Sequence, residues 1–288
     1  MTLKRKTALV YSLASVLGVF GLVGMLDALS PNTFGTAKAA SFVDDESVLD
    51  AATTRRLTSD QYKRTIEDVF GSTISLGGRF EPELRVDGLH EVGAALVSVS
   101  PTGMEQYDAM ARTIAEQVVD EKHRDLLLPC KPQSVQEPDD ACVSEFVSKV
   151  GRFLFRRPLT EGEHLAYVAA ARDATQTLND FYKGLSLSLG AMLSSPQFLF
   201  RHETLERDPE VPGAYRLDSY SRASRLSFFL WNAGPDLALL EAAEKGELYS
   251  DDGVRRQVER MLASPRAREG VRAFFADMLH FDDLETLT

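Results

Sequence analysis

Two adjacent arginines stand out among the residues whose chemistry could serve a function. Arg156 and Arg157 come directly before Pro158, at a predicted break between two helices. Guanidinium groups bind carboxylates and other planar anions through paired hydrogen bonds. The pair therefore predicts either a clamp on carboxylates of neighbouring helices or a site for an anionic ligand. Glu161 and Glu163 lie close by in the sequence, which favours the internal ion pair.

Cys130 and Cys142 are the only cysteines of the chain. In an exported protein, a lone pair of cysteines most simply forms a disulfide, which here would close a proline-containing segment. The rival interpretation is a metal or redox pair. It is disfavoured because the spacing is not C-x-x-C and no histidine lies between the two cysteines. We predict a disulfide and no metal site.

The remaining residues that could catalyse a reaction lack the partners that catalysis needs. His90-Glu91 and His202-Glu203 begin like a zinc-protease motif, but no second histidine follows at the required spacing. Segment 186–190 is one glycine short of a nucleophile elbow and lies within a predicted helix. The sequence contains no C-x-x-C-H haem-attachment motif and no phosphate loop. We therefore predict no cofactor for this chain and assign no catalytic residue.

A basic run near the carboxyl end is the other charged feature that could bind something. It consists of Arg255, Arg256, Arg260, Arg266, Arg268 and Arg272. Its simplest interpretation is the solvated face of two helices, and this is the one we favour. Docking to an acidic partner is the alternative.

Apolar residues recur at helical spacing through most of the chain after residue 58. The predicted fold class is all-α, a multi-helix array or orthogonal bundle with one long irregular loop after an N-terminal signal or anchor helix. Thr58, Thr102 and Thr160 are the predicted caps of three helices. We expect the long loop at 72–100, with a short strand at 94–99.

The last predicted helix should turn a regular apolar stripe towards the core. The stripe consists of Val271, Phe274, Phe275, Met278 and Leu279.

Composition along the chain suggests its division into domains. We predict a signal peptide or membrane anchor at 1–40, an N-terminal helical domain with the long loop at 41–128, a central helical domain at 129–206 and a C-terminal helical domain at 214–288. The prolines and glycine of 206–214 indicate a linker between the last two domains.

The amino terminus has the pattern of an export signal. A basic cluster at 4–6 precedes an uncharged run at 7–26, and Ala37-Lys38-Ala39 fits a cleavage site. An uncleaved membrane anchor remains the alternative interpretation, because the 20-residue run is long enough to span a bilayer. Residues 1–39 carry a charge of +3, so the net charge of −11 becomes −14 without them. Such an acidic protein should repel nucleic acid.

Several motifs together resemble a known family. RRLTSDQYKRTIEDVFG at 55–71 resembles the opening of the planctomycete cytochrome-associated proteins, large exported bacterial proteins built from serial domains of unknown function. FRRPLT at 155–160 and SSPQFLFR at 194–201 resemble the signature of a second domain of that family. LSFFLWNAGPD at 226–236 and RMLASPRA at 260–267 resemble a third.

The resemblance carries several implications. Family members have cysteines at the places that Cys130 and Cys142 occupy. Many carry a cytochrome-c-like segment, which this sequence lacks, and they continue past the third domain, so we expect a truncated or partial copy. The haem-bearing members imply, by analogy, a link to electron transfer or polymer breakdown. No catalytic residues are established for the family, so none is carried over.

These observations predict an exported protein of the periplasm or cell envelope, in contact with the membrane only if the N-terminal helix is uncleaved. We expect an interaction or structural component of an envelope assembly, with a c-type cytochrome or another envelope protein as partner. The alternative is an envelope hydrolase that uses carboxylates brought together by the fold. Two facing acids in a cleft would support the hydrolase, and an exposed apolar patch would support the interaction component.

Overall fold

The fold is taken from a computed structural model that describes residues 54–281. Of these residues 61% are helical, and the strands form two small two-stranded sheets. The chain is therefore mainly helical, as the apolar periodicity predicts. The predicted signal or anchor helix lies outside the described residues. Within 54–281, no helix has the length and apolar character needed to cross a membrane.

Twelve helices occur in this part of the chain. They are α1 (Ser59–Phe70), α2 (His90–Gly93), α3 (Pro101–Val119), α4 (Arg124–Leu127), α5 (Asp140–Leu154), α6 (Glu161–Leu178), α7 (Phe181–Leu193), α8 (Pro196–Leu199), α9 (Ser219–Trp231), α10 (Leu237–Glu244), α11 (Asp251–Ala263) and α12 (Arg266–Met278). A 3-10 turn, Glu247–Tyr249, lies between α10 and α11. The strands are β1 (Thr54–Arg56), β2 (Phe200–His202), β3 (Leu205–Arg207) and β4 (Tyr215–Leu217), and β1 pairs with β2 and β3 with β4, both antiparallel.

Side-chain caps fix where the helices begin. Thr58 begins α1 and Thr160 begins α6, each through the capping box that the sequence predicts. The predicted cap of α3 at Thr102 is wrong. Ser100 caps that helix, because Pro101 fills its first turn, where a missing N–H costs nothing.

The larger core surrounds α7, which packs most extensively against α6 and α3. Phe146 of α5 and Phe181 and Leu185 of α7 are fully buried there. Gly184 lets α6 and α7 approach closely, since a Cβ at this position would lie 2.1 Å from the hydroxyl oxygen of Thr175. The apolar residues that recur at helical spacing in α3 and α5 are buried, so both helices turn their apolar faces inward.

A buried ion pair holds the long loop that follows α1. Arg56 is 3% exposed and donates to the carboxylate of Glu81 at 2.8 Å. Glu81 also accepts from the backbone N–H of Ser100 at 3.0 Å, so these contacts join β1 to the middle and to the end of the loop. The predicted strand at 94–99 is wrong: residues 94–96 form a turn after α2, and residues 97–99 have no regular structure.

The chain forms a hairpin at the predicted linker, residues 206–214. Leu205 of β3 lies opposite Leu217 of β4, and Arg216 donates to Glu206 at 2.7 Å across the two strands. The prolines and Gly213, with a φ of 82°, occupy the turn of this hairpin. The predicted domain boundaries stay predictions.

A second cluster of buried side chains lies further along the chain, around Trp231 at the end of α9. The indole Nε1 donates to the backbone carbonyl of Met261 at 3.0 Å. Ala223, Leu239 and Leu248 belong to the same cluster. A buried tryptophan with its N–H satisfied contributes both area and geometry to such a core.

Candidate functional site

The structure joins Cys130 and Cys142 by a disulfide, with Cα atoms 5.5 Å apart, which confirms the predicted bond. Asp139 caps α5 beside it, since its carboxylate accepts from the backbone N–H groups of Cys142 at 3.0 Å and Gln133 at 3.2 Å. Bond and cap together tie the loop at 131–139 to the first turn of α5. Within residues 54–281, no three histidine, cysteine or acidic side chains group so as to hold a metal.

Arg157 forms a two-pronged ion pair with Glu163. Each Nη donates to one carboxylate oxygen at 2.8 Å, and the same nitrogens reach the carbonyl of Pro158 at 2.9 Å and the side-chain oxygen of Gln197 at 3.2 Å. The hydrogen bonds from Arg157 lower the pKa of Glu163 to about 2 despite partial burial, and hydrogen bonds from Thr160 add to the effect. The pair fixes the first turn of α6 against the break before it.

Arg156 has a different role, because its side chain is only 4% exposed and its backbone is left-handed, with a φ of 59°. Its guanidinium donates to four backbone carbonyls at 2.6–3.3 Å, those of Leu154, Gln197, Phe198 and Phe200. Burial, together with the charges of Arg201 and Arg157, lowers the pKa of Arg156 to about 9. The group still carries its charge at neutral pH, and it fastens the end of α5 to α8 and β2.

The glutamates of the two histidine–glutamate pairs form ion pairs with arginines. Glu91 accepts from Arg201 at 2.6 Å, which links α2 to β2. Glu203 accepts from Arg225 through both carboxylate oxygens, at 2.5 and 2.6 Å, which links the end of β2 to α9. Both glutamates therefore join separate segments of the fold.

A polar cleft of about 240 Å³ opens beside Arg156 and Arg157. Its walls come from the break after α5, from α8 and β2, and from the first turns of α9. The fold thus brings the motifs at 155–160 and 194–201 against residues 218–224, although residues 161–193 and 202–217 separate these segments along the chain. Cys142 lies at the opposite end of α5, about 18 Å along the helix from the cleft.

His202 lines the cleft as a neutral side chain at pH 7. Its Nε2 donates to the carbonyl of Pro196 at 3.2 Å, and its Nδ1 lies 3.3 Å from the hydroxyl oxygen of Thr54. Burial lowers the pKa of His202, and the charges of Arg156 and Arg157 lower it further, against the effect of the hydrogen bond to Pro196. Both ring nitrogens thus have protein partners.

The sequence did not predict the side chains that the start of α9 contributes to the cleft. Asp218 caps α9 by accepting from the backbone N–H of Ser221 at 2.6 Å, and Tyr220 and Ser224 lie beside it in the wall. An aspartate followed by serines is a recognisable helix start. Which residues the first turn of α9 faces depends on how the helix packs, and no local sequence pattern predicts this packing.

The apolar stripe of α12 lies at the surface, so its predicted inward direction is wrong. Val271, Phe274, Phe275, Met278 and Leu279 are 42–57% exposed. The helix packs on α9 through Gly270 instead, where an added Cβ would lie 2.0 Å from the carbonyl oxygen of Leu230. Because glycine permits this close backbone contact, the small-residue face turns inward and the large apolar side chains turn outward.

Polar contacts hold α12 in this orientation. Asp277 accepts from Arg85 at 2.8 Å and from the backbone N–H of His90 at 3.0 Å. At the other end of the helix, Arg266 pairs with Asp68 and lies over the ring of Trp231, 4.3 Å from its centroid. Both ends of α12 are therefore attached to the rest of the fold through its inward face.

Most of the basic run is engaged within the chain. Five ion pairs join Arg255 to Asp252, Arg256 to Glu247, Arg260 to Asp236, Arg266 to Asp68 and Arg272 to Glu269. Arg268 is exposed, and Arg272 remains 75% exposed in its pair. These two arginines stand one helical turn apart and flank the apolar stripe of α12.

Three families of unknown function match successive parts of the chain. Residues 55–120 match PSD3: Protein of unknown function (DUF1587), residues 142–203 match PSD5: Protein of unknown function (DUF1595), and residues 217–288 match PSD4: Protein of unknown function (DUF1592). No curated protein and no solved structure matches the chain. The polar cleft combines Arg156 of the second matched segment with Asp218 of the third. The chain therefore carries DUF1587, DUF1595 and DUF1592 in order, three domains known together as one multi-domain family.

Proposed function

We propose that this protein is an exported interaction component of a cell-envelope assembly, which binds its partner through the exposed apolar stripe of α12. The proposal rests on the spacing and the exposure of the residues in this stripe. Val271, Phe274, Phe275 and Met278 recur at i, i+3, i+4 and i+7 and remain about half exposed. An amphipathic helix with this spacing is a common way of entering an apolar groove on a second protein.

The rim of the stripe defines the chemistry of the partner. Arg268 and Arg272 stand along one flank, within a chain whose net charge is strongly negative. A partner that fits both features is an envelope protein with an apolar groove edged by carboxylates. Such charge complementarity speeds association and fixes the orientation of the bound helix. The family resemblance adds a c-type cytochrome as the named candidate, in an assembly for electron transfer or polymer breakdown.

Export is the second part of the proposal. The basic cluster at 4–6, the uncharged run at 7–26 and the small residues before position 40 support a secretory signal. The disulfide between Cys130 and Cys142 supports an oxidising compartment, because thiols in the bacterial cytosol are kept reduced.

A hydrolase receives less support from the same structure. The polar cleft has a single carboxylate in its wall, that of Asp218, and one of its oxygens caps α9. General acid and base catalysis of hydrolysis would call for a second facing acid.

The interaction is tested by placing a photo-crosslinking amino acid at Phe274 in the cell that makes the protein. The matched control carries the same probe at Leu165 of α6, which is 58% exposed. We expect one discrete adduct with a second envelope protein from position 274 only, reduced at least fivefold by Arg268→Glu combined with Arg272→Glu. No adduct at 274, equal adducts at both positions, or an adduct of two copies of this chain contradicts the proposal.

Cell fractionation and amino-terminal sequencing test export. We expect the mature chain outside the cytoplasm, beginning at residue 40 or 41, or the full chain held in the membrane by an uncleaved anchor. Full-length protein in the cytosol with reduced Cys130 and Cys142 contradicts this part of the proposal.

A further inference from the structure

We propose that the polar cleft beside Arg156 and Arg157 binds one neutral sugar residue, free or at the end of a glycan, through Gln197, Asp218, Tyr220 and Ser224. The cleft is independent of the α12 stripe, so this inference stands or falls apart from the proposed interaction. It rests on the size of the cleft, its balance of charge and the hydrogen-bonding groups that it leaves available.

The size of the cleft fits a single ring. Its volume is about 240 Å³. Sites for drug-sized ligands start at roughly 300 Å³. A pyranose ring with its hydroxyl groups fills such a space, whereas a second ring would extend into solvent.

The charge of the cleft favours a neutral ligand over an anion. The two guanidinium groups of Arg156 and Arg157 are balanced by the carboxylates of Glu163 and Asp218. All the Nη groups of both arginines already donate to protein oxygens, as the contacts above show. An anion would therefore find few free guanidinium donors and would meet the negative charge of Asp218.

The available donors and acceptors match sugar hydroxyls. Arg157 donates to the side-chain oxygen of Gln197, which leaves the amide NH2 group to donate to a ligand. Asp218 uses one oxygen for its cap and offers the other as an acceptor. Within residues 54–281, the hydroxyl groups of Tyr220 and Ser224 have no protein hydrogen-bond partner. A sugar hydroxyl both donates and accepts, so this mixed set can satisfy adjacent hydroxyls of one ring.

Tyr220 supplies two further properties of a sugar site. Its ring gives an apolar surface for the C–H groups of the sugar, and its hydroxyl gives a polar tip. Burial raises the pKa of Tyr220, with a further effect from the charge of Glu244, so the phenol remains a donor at neutral pH. His202 plays no direct part, because both of its ring nitrogens have protein partners.

Saturation-transfer NMR on the full chain provides the test. The ligands are the methyl glycosides of glucose, galactose, mannose and N-acetylglucosamine, the corresponding trisaccharides, and phosphate and acetate as anions. We expect saturable binding of at least one glycoside that neither anion displaces. A trisaccharide that binds as tightly as its glycoside identifies a glycan end as a ligand, because its further rings extend into solvent. A trisaccharide that binds at least tenfold more weakly identifies the free sugar.

The variant that decides the test combines Tyr220→Phe with Ser224→Ala, which removes two hydroxyl groups and leaves the cap of α9 in place. Loss of two neutral hydrogen bonds should weaken glycoside binding about tenfold or more. Tyr215→Phe is the control, since Tyr215 is 41% exposed on β4 and lies outside the cleft. Thermal unfolding checks that all three proteins fold. Absence of binding by every glycoside, displacement by phosphate or acetate, or unchanged binding by the double variant overturns the proposal.

Discussion

Helices α5 and α12 have the same spacing of apolar residues, but α5 buries its apolar face and α12 exposes it. Val143, Phe146, Val147 and Val150 of α5 stand at i, i+3, i+4 and i+7, as do Val271, Phe274, Phe275 and Met278 of α12. The α5 residues are at most 5% exposed, whereas the α12 residues are at least 42% exposed. An apolar stripe therefore predicts that a helix has a distinct apolar face, but not that the described fold covers that face.

This difference in exposure depends on the residues on the opposite face of each helix. The inward face of α12 has Gly270 for close contact with α9 and Asp277 for hydrogen bonds to α2 and its surroundings. The outer face of α5 has charged residues such as Glu145 and Lys149, which stay in water. Close backbone packing and polar anchors thus determine the orientation of α12, while burial of large side chains determines that of α5.

The largest expected effect compares the two phenylalanines at matched positions. Phe146→Ala should lower the free energy of unfolding by about 3–5 kcal/mol, because it leaves a cavity in the larger core. Phe274→Ala should lower it by less than about 1 kcal/mol, because that side chain is already 56% exposed. Chemical denaturation of both variants checks the comparison. Equal losses would mean that the stripe of α12 is covered within this chain.

The disulfide should give the next largest effect, and it acts on α5 alone. Replacing Cys130 and Cys142 by alanine should cost about 3 kcal/mol, because the unfolded chain regains the freedom of the closed loop. Hydrogen exchange should then rise in the first turn of α5 and stay unchanged in α12. Equal stability with and without the bond would contradict this expectation.

Gly270→Ala tests the contact that turns α12. The added Cβ would lie 2.0 Å from the carbonyl oxygen of Leu230, so the two helices must separate, at a cost of about 2 kcal/mol. Gly190→Ala in α7 is the matched control, since its added Cβ would lie more than 4 Å from every atom outside its neighbouring residues and the backbone of its own helix. That change should stabilise the protein by roughly 0.5–1 kcal/mol through helix propensity. In thermal unfolding, we expect Gly270→Ala to lower the melting temperature and Gly190→Ala to raise it. Changes of the same sign would show that α12 tolerates the shift.

The smallest effect concerns the ion pair of Arg157 and Glu163 at the start of α6. The folded pKa of Glu163 is about 2, below its ordinary value of 4.5. Its stabilising contribution is therefore complete above about pH 5 and is lost as the pH falls from about 4.5 to about 2. We expect about 1 kcal/mol, since solvent screens this partly exposed pair.

Glu163→Gln is the matching variant, because glutamine can keep the capping box while it removes the charge. Denaturation between pH 6 and pH 2 should show a shallower loss of stability for the variant than for the parent protein. Parallel curves would mean that the pair of Arg157 and Glu163 does not contribute.

Local patterns predicted much of the helical framework. The starts of α1 and α6 follow from the caps Thr58 and Thr160, and the break after α5 follows from Pro158, because such residues act within one or two turns of themselves. The candidate cleft could be predicted only in part. The sequence predicts Arg156 and Arg157 as site residues because their side chains are charged and adjacent. No sequence pattern predicts that Tyr220 and Ser224 face those arginines.

The sequence by itself determined the helical class, the disulfide partners and the order of the three domains, because each depends on spacing along one stretch of chain or on residue types that have few alternatives. Only the tertiary structure decided which face of α12 is covered, that 205–217 forms a hairpin, and which side chains share the polar cleft. These outcomes depend on contacts between residues far apart in the chain, where several weak preferences compete and the best-packed arrangement prevails.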